Sequence, residues 1–322
     1  MKKRIAFIIP YFGHFNKYFP LYLKSCETNR DLCDWIIFTD DNTEYAYPEN
    51  VKVHYTSFET MQNLIWSKLG KSCKCDKPYK LCDYKAAYGY LFDDYLGDYE
   101  YWGHCDSDLI WGRISHFLSD EILSSYDKIF DLGHCTIYRN TEKISRAFMF
   151  PLNGRKRYLE VYENEDNCSF DEEYNDSINN IFIEHGMKIY DDSFAANTYT
   201  KSSNFLLTKL NADKKTYSKE KRKNSVFVWD NGRLYRYVLV SGHLKRKEYM
   251  YIHFQSRPMK MDAEVLEKST FKIIPNSFEL LEEKIKDVDS FGRIKKKHFN
   301  LHYFRLRFKN LKIKMRRKMG KR

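Results

Sequence analysis

Apolar residues in the first part of the chain fall in short unbroken runs, separated by stretches whose apolar positions recur at helical spacing. IAFIIP (Ile5–Pro10) is rich in β-branched residues and bounded by charge and then by Gly13, which predicts a strand buried on both faces. Asn16–Glu27 spaces Phe19, Leu23 and Cys26 as a helix does. WIIFTD (Trp35–Asp40) and VKVHY (Val51–Tyr55) predict two further strands, and Ser57 caps a predicted helix that runs to about Leu69. This β-α-β-β-α order predicts an α/β fold with helices on a largely parallel sheet.

The same reading continues along the chain. KPYKLCDYKAAYGYLFDDYL (Lys77–Leu96) predicts one helix opened by Pro78, and YEYWGHCD (Tyr99–Asp106) a strand. KIFDLG (Lys128–Gly133) and CTIYRN (Cys135–Asn140) predict two short strands, Asp171–His185 a helix and MKIYDD (Met187–Asp192) another strand. Val226–Val240 predicts a hairpin about the turn Asn231-Gly232, and MYIHF (Met250–Phe254) a strand that closes the pattern. Lys209–Asn224 is charged and without periodicity, and predicts an exposed loop.

Polar chemistry concentrates where the strand from Tyr99 ends, in GHCDSDLIWG. Asp106 and Asp108 lie outside the carboxyl end of a predicted sheet strand, where ligands of open α/β sheets bind. Two carboxylates so placed repel unless a cation stands between them, and hard oxygen ligands suit Mg²⁺ or Mn²⁺. The alternative is that both acids cap a helix from about Ile114. The later strand YIHFQSR supplies His253, a suitable third ligand, with Arg257 and Lys260 as candidates for phosphate oxygens. A histidine in a strand is also an ordinary structural residue.

Charge separates the body from its end. The chain carries +11. Residues 293–322 hold 14 Lys and Arg and no Asp or Glu, which leaves −3 for residues 1–292. An acidic body argues against nucleic-acid binding, and a basic tail for contact with an anionic surface. In the tail Leu301, Phe304, Phe308, Leu311 and Met315 form an apolar stripe among Arg305, Arg307, Lys309, Lys312, Lys314 and Arg316, as in an interfacial helix or a terminal helix packed on its own core, while Leu306, Phe308, Leu311, Ile313 and Met315 also alternate as in a strand. The eight cysteines form no secreted-domain framework, and Cys73, Cys75 and Cys82 lack the paired spacing of structural zinc. No stretch reaches the roughly 20 apolar residues of a membrane span, and the start carries no cleavable leader pattern, so a cytoplasmic protein is expected. Aromatic residues make up 17% of the chain, a supply suited to sugar surfaces, although most rings belong in a core.

The runs IIPYFG, KPYKLCDYKAAYG, YWGHCDSDLIWG, LGHCTIYRN and YIHFQSR together resemble a bacterial family of glycosyltransferases of polysaccharide gene clusters, over about residues 4–280. More distantly, the order of features is similar to glycogenin-like and lipopolysaccharide galactosyltransferase-like enzymes. The resemblance implies the GT-A fold, a Rossmann-like mixed sheet flanked by helices, with the basic helical tail appended. It implies a D-x-D metal site at Asp106 and Asp108 holding Mn²⁺ or Mg²⁺, with His253 as a further ligand. Pro10, Tyr11, Phe12 and Asp40 then line the nucleoside. Lys85, with Lys80 and Asp83 nearby, touches donor phosphate or sugar. Asp171 and Glu172 hold sugar hydroxyls or face the anomeric carbon; read on their own they are first-turn helix charges. His104 and His134 are weaker candidates.

The expectation is therefore one catalytic domain over 1–292, with a nucleotide-binding part to about 140 and an acceptor side from about 141, followed by the tail 293–322. It would move a sugar, with retention, from a UDP- or GDP-sugar to a bacterial surface polysaccharide or lipid-linked glycan, at the cytoplasmic face of the cell membrane. A sugar nucleotidyltransferase is the rival enzyme, although it calls for a glycine-rich loop where only Gly13 stands. A non-catalytic, basic-tailed adaptor for membrane or nucleic acid is the rival from another class.

Overall fold

The computed structural model describes residues 4–172, 174–199, 202, 204–221 and 223–295, together with 304, 305, 308, 311, 312 and 315. Strands β1 (Ile5–Tyr11), β2 (Cys33–Thr39), β3 (Val51–Tyr55) and β4 (Tyr101–Cys105) pair in parallel in the order β3-β2-β1-β4. A short β5 (Leu109–Trp111) follows. Then β6 (Lys128–Ile129), β7 (Cys135–Arg139) and β8 (Ile189–Tyr190) extend the sheet to seven strands, with β7 antiparallel to β4 and to β6. The molecule is thus a mixed α/β protein. Alternation along β1 divides the core: Ile5, Phe7 and Ile9 face one apolar cluster with the helix Phe19–Glu27. Ala6 and Ile8 face the other, with the helix Phe58–Leu69 and the segments that follow it.

Two smaller sheets build the other side. In a three-stranded sheet, β15 (Tyr251–His253) lies antiparallel to β5 and parallel to β9 (Ala195–Asn197). β10 (Thr208–Leu210) and β11 (Tyr217–Lys219) form a hairpin. A six-stranded sheet holds β12 (Asn224–Asp230), β13 (Arg233–Val240), β14 (His243–Tyr249), β16 (Lys260–Met261), β17 (Thr270–Ile274) and β18 (Ser277–Leu280). Its first turn, Asn231-Gly232, has φ of 48° and 82°, the left-handed pair that a two-residue hairpin turn requires. Trp229 joins this sheet to the small one, its indole N–H donating to the Trp111 carbonyl at 2.8 Å.

Several expectations are corrected. Lys77–Leu96 is helical as expected but alternates short 3-10 and α segments, at 78–80, 81–84, 85–87, 88–91 and 93–95, rather than forming one regular helix, and Tyr88 Oη donates to Leu81 O at 3.0 Å within it. The helix expected from Asp171 begins only at Ile178, where Ser177 and Asn180 form a capping box. Asp171 and Glu172 precede that helix, so they are not its first-turn charges. Lys209–Asn224 contains the hairpin β10–β11, and β17 and β18 follow the strand expected to close the pattern. Near Ile114 there is a single 3-10 turn whose N–H binds Asn29 Oδ1, so Asp106 and Asp108 cap nothing there. The helix Val288–Ile294 crosses the expected boundary at 292. Its Arg293 bonds Glu283, and its Ile294 is buried.

In the tail, Phe304, Arg305, Phe308, Leu311, Lys312 and Met315 are helical, and the four apolar ones are 53–70% exposed. Leu301, Leu306, Arg307, Lys309, Ile313, Lys314 and Arg316 lie outside the described residues. All eight cysteines are free. Among the described residues, the only group of three or more His, Cys, Asp or Glu side chains close enough to share a metal ion is Asp106, Asp108 and His253.

Candidate active site

A cleft of about 1350 Å³ opens at the carboxyl ends of β1 and β4. The chain order reverses there: β2 and β3 are added on one side of β1 and β4 on the other, leaving the crevice that open α/β sheets use for ligands. Pairing register then delivers the third group. In the β5–β15 pair His253 stands opposite Leu109, the residue after Asp108, and in the β15–β9 pair it stands beside Asn197.

His253 Nε2 lies 3.6 Å from Asp106 Oδ2 and 3.4 Å from Asp108 Oδ1. Its Nδ1 faces Asn197 Oδ1 at 3.1 Å, and Gln255 Nε2 donates to the same oxygen at 2.9 Å. Asn197 Oδ1 accepts, so Nδ1 carries a proton, and a neutral ring turns the Nε2 lone pair toward two carboxylates. That arrangement is repulsive unless a proton or a metal ion occupies the gap. Burial alone would lower the His253 pKa; Asp108 and then Asp106 outweigh it and hold the imidazole above its ordinary range.

Each carboxylate is also fixed from behind. Lys85 Nζ holds Asp106 Oδ1 at 2.8 Å, and the Ser256 N–H donates to Asp108 Oδ2. Burial pushes Asp106 up, but Lys85 and then His253 hold it at about 2. Ligand atoms about 2.1 Å from one Mg²⁺ or Mn²⁺ at right angles stand about 3 Å apart, so this oxygen-rich set with one imidazole fits such an ion with little movement.

Lys85 links this triad to a second acidic pair. Its Nζ also donates to Gly133 O at 2.8 Å and lies 3.4 Å from Asp171 Oδ2. Glu172 Oε2 accepts the Gly133 N–H at 3.2 Å. Gly133 leaves room for this pair, because a Cβ at that position would sit 2.2 Å from Asp171 Oδ2 and displace that carboxylate. Burial raises the Asp171 carboxyl to about 7 against the pull of Lys85, with Glu172 and Asp106 adding to the rise.

The other anticipated residues divide. Pro10, Tyr11 and Phe12 line the cleft, with Tyr11 stacked on Phe15 at 4.4 Å. Asp40 is exposed and accepts the Gly13 N–H at 2.7 Å, so it shapes the loop after β1 and does not line the cleft. Of the two residues anticipated at the donor, Asp83 borders the cleft and Lys80 does not, and both are bonded to the protein. Lys80 Nζ binds Asp83, Val161 O and Asp166 O. Asp83 is fully buried and also accepts the N–H groups of Cys168 and Phe170, shaping the loop that carries Asp171.

Arg257 faces the cleft, but its terminal nitrogens donate to the carbonyls of Pro275, Tyr199 and Ser202, and burial lowers it to about 10. Lys260 is exposed on β16, next to Met259 of the cleft lining but not in that lining itself. Sequence reasoning missed Asn197, Ser256 and Gly133, which act through register and backbone. His134 is brought beside the triad, its ring 4.5 Å from that of His253 and its Nδ1 2.9 Å from Tyr251 Oη.

The chain belongs to a family of unknown function (DUF6625), whose model matches residues 7–282. No curated protein matches the sequence. Among solved structures, the apo form of mouse xyloside xylosyltransferase 1 is similar at 8% identity and a TM-score of 0.38, over 62% of this chain and 88% of that one.

Proposed function

We propose that this member of the family is a metal-dependent glycosyltransferase of GT-A type, moving a sugar from a UDP- or GDP-sugar to a bacterial surface polysaccharide or lipid-linked glycan. The observation that carries the reading is the Asp106–Asp108–His253 triad at the switch point of the sheet, with Nε2 and one oxygen of each carboxylate turned to a common point. A bound Mn²⁺ or Mg²⁺ would supply charge to the diphosphate as its bond to the anomeric carbon breaks. Asp106, Asp108 and His253 would hold that ion, and Asn197 keeps His253 in the ligating tautomer.

Lys85 fixes Asp106 and reaches Asp171, so its charge lies between the diphosphate end and the acids. Asp171 and Glu172 then hold sugar hydroxyls or face the anomeric carbon, and Pro10, Tyr11 and Phe12 line the nucleoside. The Gly13 N–H is spent on Asp40, which argues against a phosphate-cradling loop and so against a nucleotidyltransferase. The exposed apolar residues of the basic tail suit an interfacial helix on an anionic cytoplasmic membrane face.

The test is release of a nucleoside diphosphate from UDP- and GDP-sugars with and without Mn²⁺. Metal-dependent release from one donor is expected, and absence of both release and donor binding overturns the reading. Nuclear magnetic resonance of the first-formed product reads the anomeric configuration; an inverted linkage removes retention.

A further inference from the structure

The outer edge of the six-stranded sheet carries charge that the body does not neutralise. β14 is the end strand in the order β14-β13-β12-β17-β18-β16, so among the described residues one side of its backbone has no neighbouring strand. Lys245, Arg246 and Lys247 follow one another along it, and all three are exposed. Arg246 and Lys247 lie over the rings of Tyr235 and Tyr249, 4.7 and 4.9 Å from their centres, and among the described residues none of the three is ion-paired. The tight turn before them, Ser241-Gly242, has φ of 49° and 80°, the left-handed pair of a two-residue hairpin. Val240 is exposed at this tip, with Val238 and Leu239 half-buried behind it.

Strand register brings the start of the basic tail to the same tip. The helix Val288–Ile294 buries Phe291 and Ile294 in a small apolar cluster with Val226 and Val228, against which Leu239 and Leu244 pack. Just after that helix, Lys295 Nζ donates to Asn224 Oδ1 at 2.7 Å. Asn224 stands opposite Leu239 in the β12–β13 pair, and Leu239 opposite Leu244 in the β13–β14 pair. The body thus places three unneutralised cations beside the root of a segment that holds 14 Lys and Arg and no acid after residue 292. Charged residues on an edge strand also keep the sheets of different molecules apart. That role does not account for an apolar tip, nor for setting this edge beside a tail of like charge, which repels it unless an anionic surface lies across both.

We infer that the β13–β14 tip and the edge Lys245–Lys247 form a second membrane contact, which lies edge-on against anionic lipid headgroups and fixes how the catalytic body sits on the bilayer. Successive side chains of an edge strand point to opposite faces, yet long Lys and Arg stems on both faces can reach a surface that meets the edge. Val240 would enter between the headgroups. β14 leads through Met250 into β15, which ends at His253, so the chain from Lys245 to His253 spans at most about 28 Å. A bilayer held at this edge therefore lies near the cleft, as a lipid-linked acceptor requires. The inference extends the membrane reading of the tail but does not depend on its helix. Each near-surface cation is worth about fivefold in partition, so the edge alone holds the chain weakly and acts together with the tail.

The test uses the full chain with mixed phosphatidylcholine–phosphatidylglycerol vesicles at low salt. One variant combines Lys245→Gln, Arg246→Gln and Lys247→Gln. A tail variant combines Lys312→Gln, Lys314→Gln and Arg316→Gln. A charge-matched control combines Arg30→Gln, Lys71→Gln and Lys143→Gln, three exposed positions elsewhere on the body. The edge variant should lose about ten- to a hundredfold in partition with its thermal midpoint unchanged, and the control should stay within about threefold of the wild type. Hydrogen exchange of the amides over 240–247 should slow when vesicles are added to the wild type. Equal losses in the edge variant and the control, or exchange over 240–247 that vesicles leave unchanged, overturn the inference. Loss in the tail variant alone overturns it and leaves the tail reading standing, whereas loss in the edge variant alone keeps it and removes the tail. Capture by duplex DNA but not by vesicles, abolished in the edge variant, would overturn it in favour of a nucleic-acid surface.

Discussion

Lys80 and Lys85 lie on the same folded run, and each places Nζ 2.8 Å from an aspartate oxygen. Around Lys80 every partner is structural: Asp83 on the same run and the carbonyls of Val161 and Asp166, with the side chain 1% exposed. Around Lys85 the partners converge from three parts of the chain on the cleft wall: Asp106 after β4, the Gly133 carbonyl, and Asp171 from the loop before Ile178. Asp106 keeps its second oxygen turned to His253. The two ammonium groups are equally well bonded. What separates the two ion pairs is that the carboxylate beside Lys85 still has an oxygen turned to the cleft.

The sharpest separation comes from the carboxylate end. Asp108→Asn keeps the shape and an acceptor for the Ser256 N–H but removes the charge that an ion needs. Mn²⁺-dependent kcat/KM should fall by about a hundredfold or more, with the thermal midpoint nearly unchanged. Near-wild-type activity across a Mn²⁺ titration would take Asp108 out of the metal site.

Next in size is the exchange of each lysine for Met. Lys80→Met strands the buried Asp83, and breaking such a buried pair costs about 3–5 kcal/mol. Lys85→Met should cost less stability, because Asp106 is partly exposed and Asp171, already raised to about 7, can take up a proton. Its loss should appear in Mn²⁺ titration and turnover. Urea denaturation of both variants decides, and the contrast collapses if Lys85→Met is the less stable of the two.

That contrast also marks how far the sequence could be read. The strands of the parallel sheet were legible because they are buried on both faces and read as unbroken apolar runs, as was the Asn231-Gly232 turn. Asp106, Asp108 and His253 are legible because strand ends and residue types limit where ligands gather, whereas Lys85 comes only from the family resemblance. Lys80 and Asp83 carry the same local signals as Lys85, and only the path of residues 161–170 around them reveals their role. Asn197 gave no signal, since its part depends on the β9–β15 register, which no local pattern encodes. The run Lys77–Leu96 has helical periodicity and is helical, but its alternation of 3-10 and α segments is not written in that periodicity.

Asn197 offers a smaller test of the same end of the cleft. Asn197→Ala leaves all three proposed ligands in place but frees the ring of His253, so Mn²⁺ affinity should fall about ten- to a hundredfold. Asn197→Asp keeps an acceptor for Nδ1 and should restore most of it. A purely packing role would lower the thermal midpoint and leave Mn²⁺ affinity alone.

At the edge of the cleft, Asp41 supplies a purely structural carboxylate to set against Asp106. Burial would raise it, but Thr43 Oγ1 and the N–H groups of Phe15 and Thr43 hold it down at about 2. A carboxyl depressed in the folded state stabilises fully above its unfolded pKa of about 3.9 and loses that contribution as pH falls toward about 2. Asp41→Asn should therefore cost about 1–3 kcal/mol at neutral pH and flatten the acid limb of the stability curve between about pH 4 and pH 2. An acid limb identical to that of the wild type would assign the loss to other groups.

The tail takes the comparison to its limit, with 14 Lys and Arg after residue 292 and no acid to pair with them locally. Arg293 is the exception, because it reaches back to Glu283, and Ile294 is buried with the body. A cut after Lys295 therefore tests the tail without damaging the helix that ends at Ile294. On the interfacial-helix reading, Phe304, Phe308, Leu311 and Met315 enter the headgroup region, and each Lys or Arg near the surface adds about 1 kcal/mol. The full chain should sediment with phosphatidylglycerol-containing vesicles at low salt and less at high salt, as screening requires. The truncated chain should remain in the supernatant, and its turnover of a soluble nucleotide sugar should match the wild type, the smallest effect expected of any change proposed. Equal sedimentation after truncation would move the membrane contact to the body, and no sedimentation of the full chain at low salt would remove it.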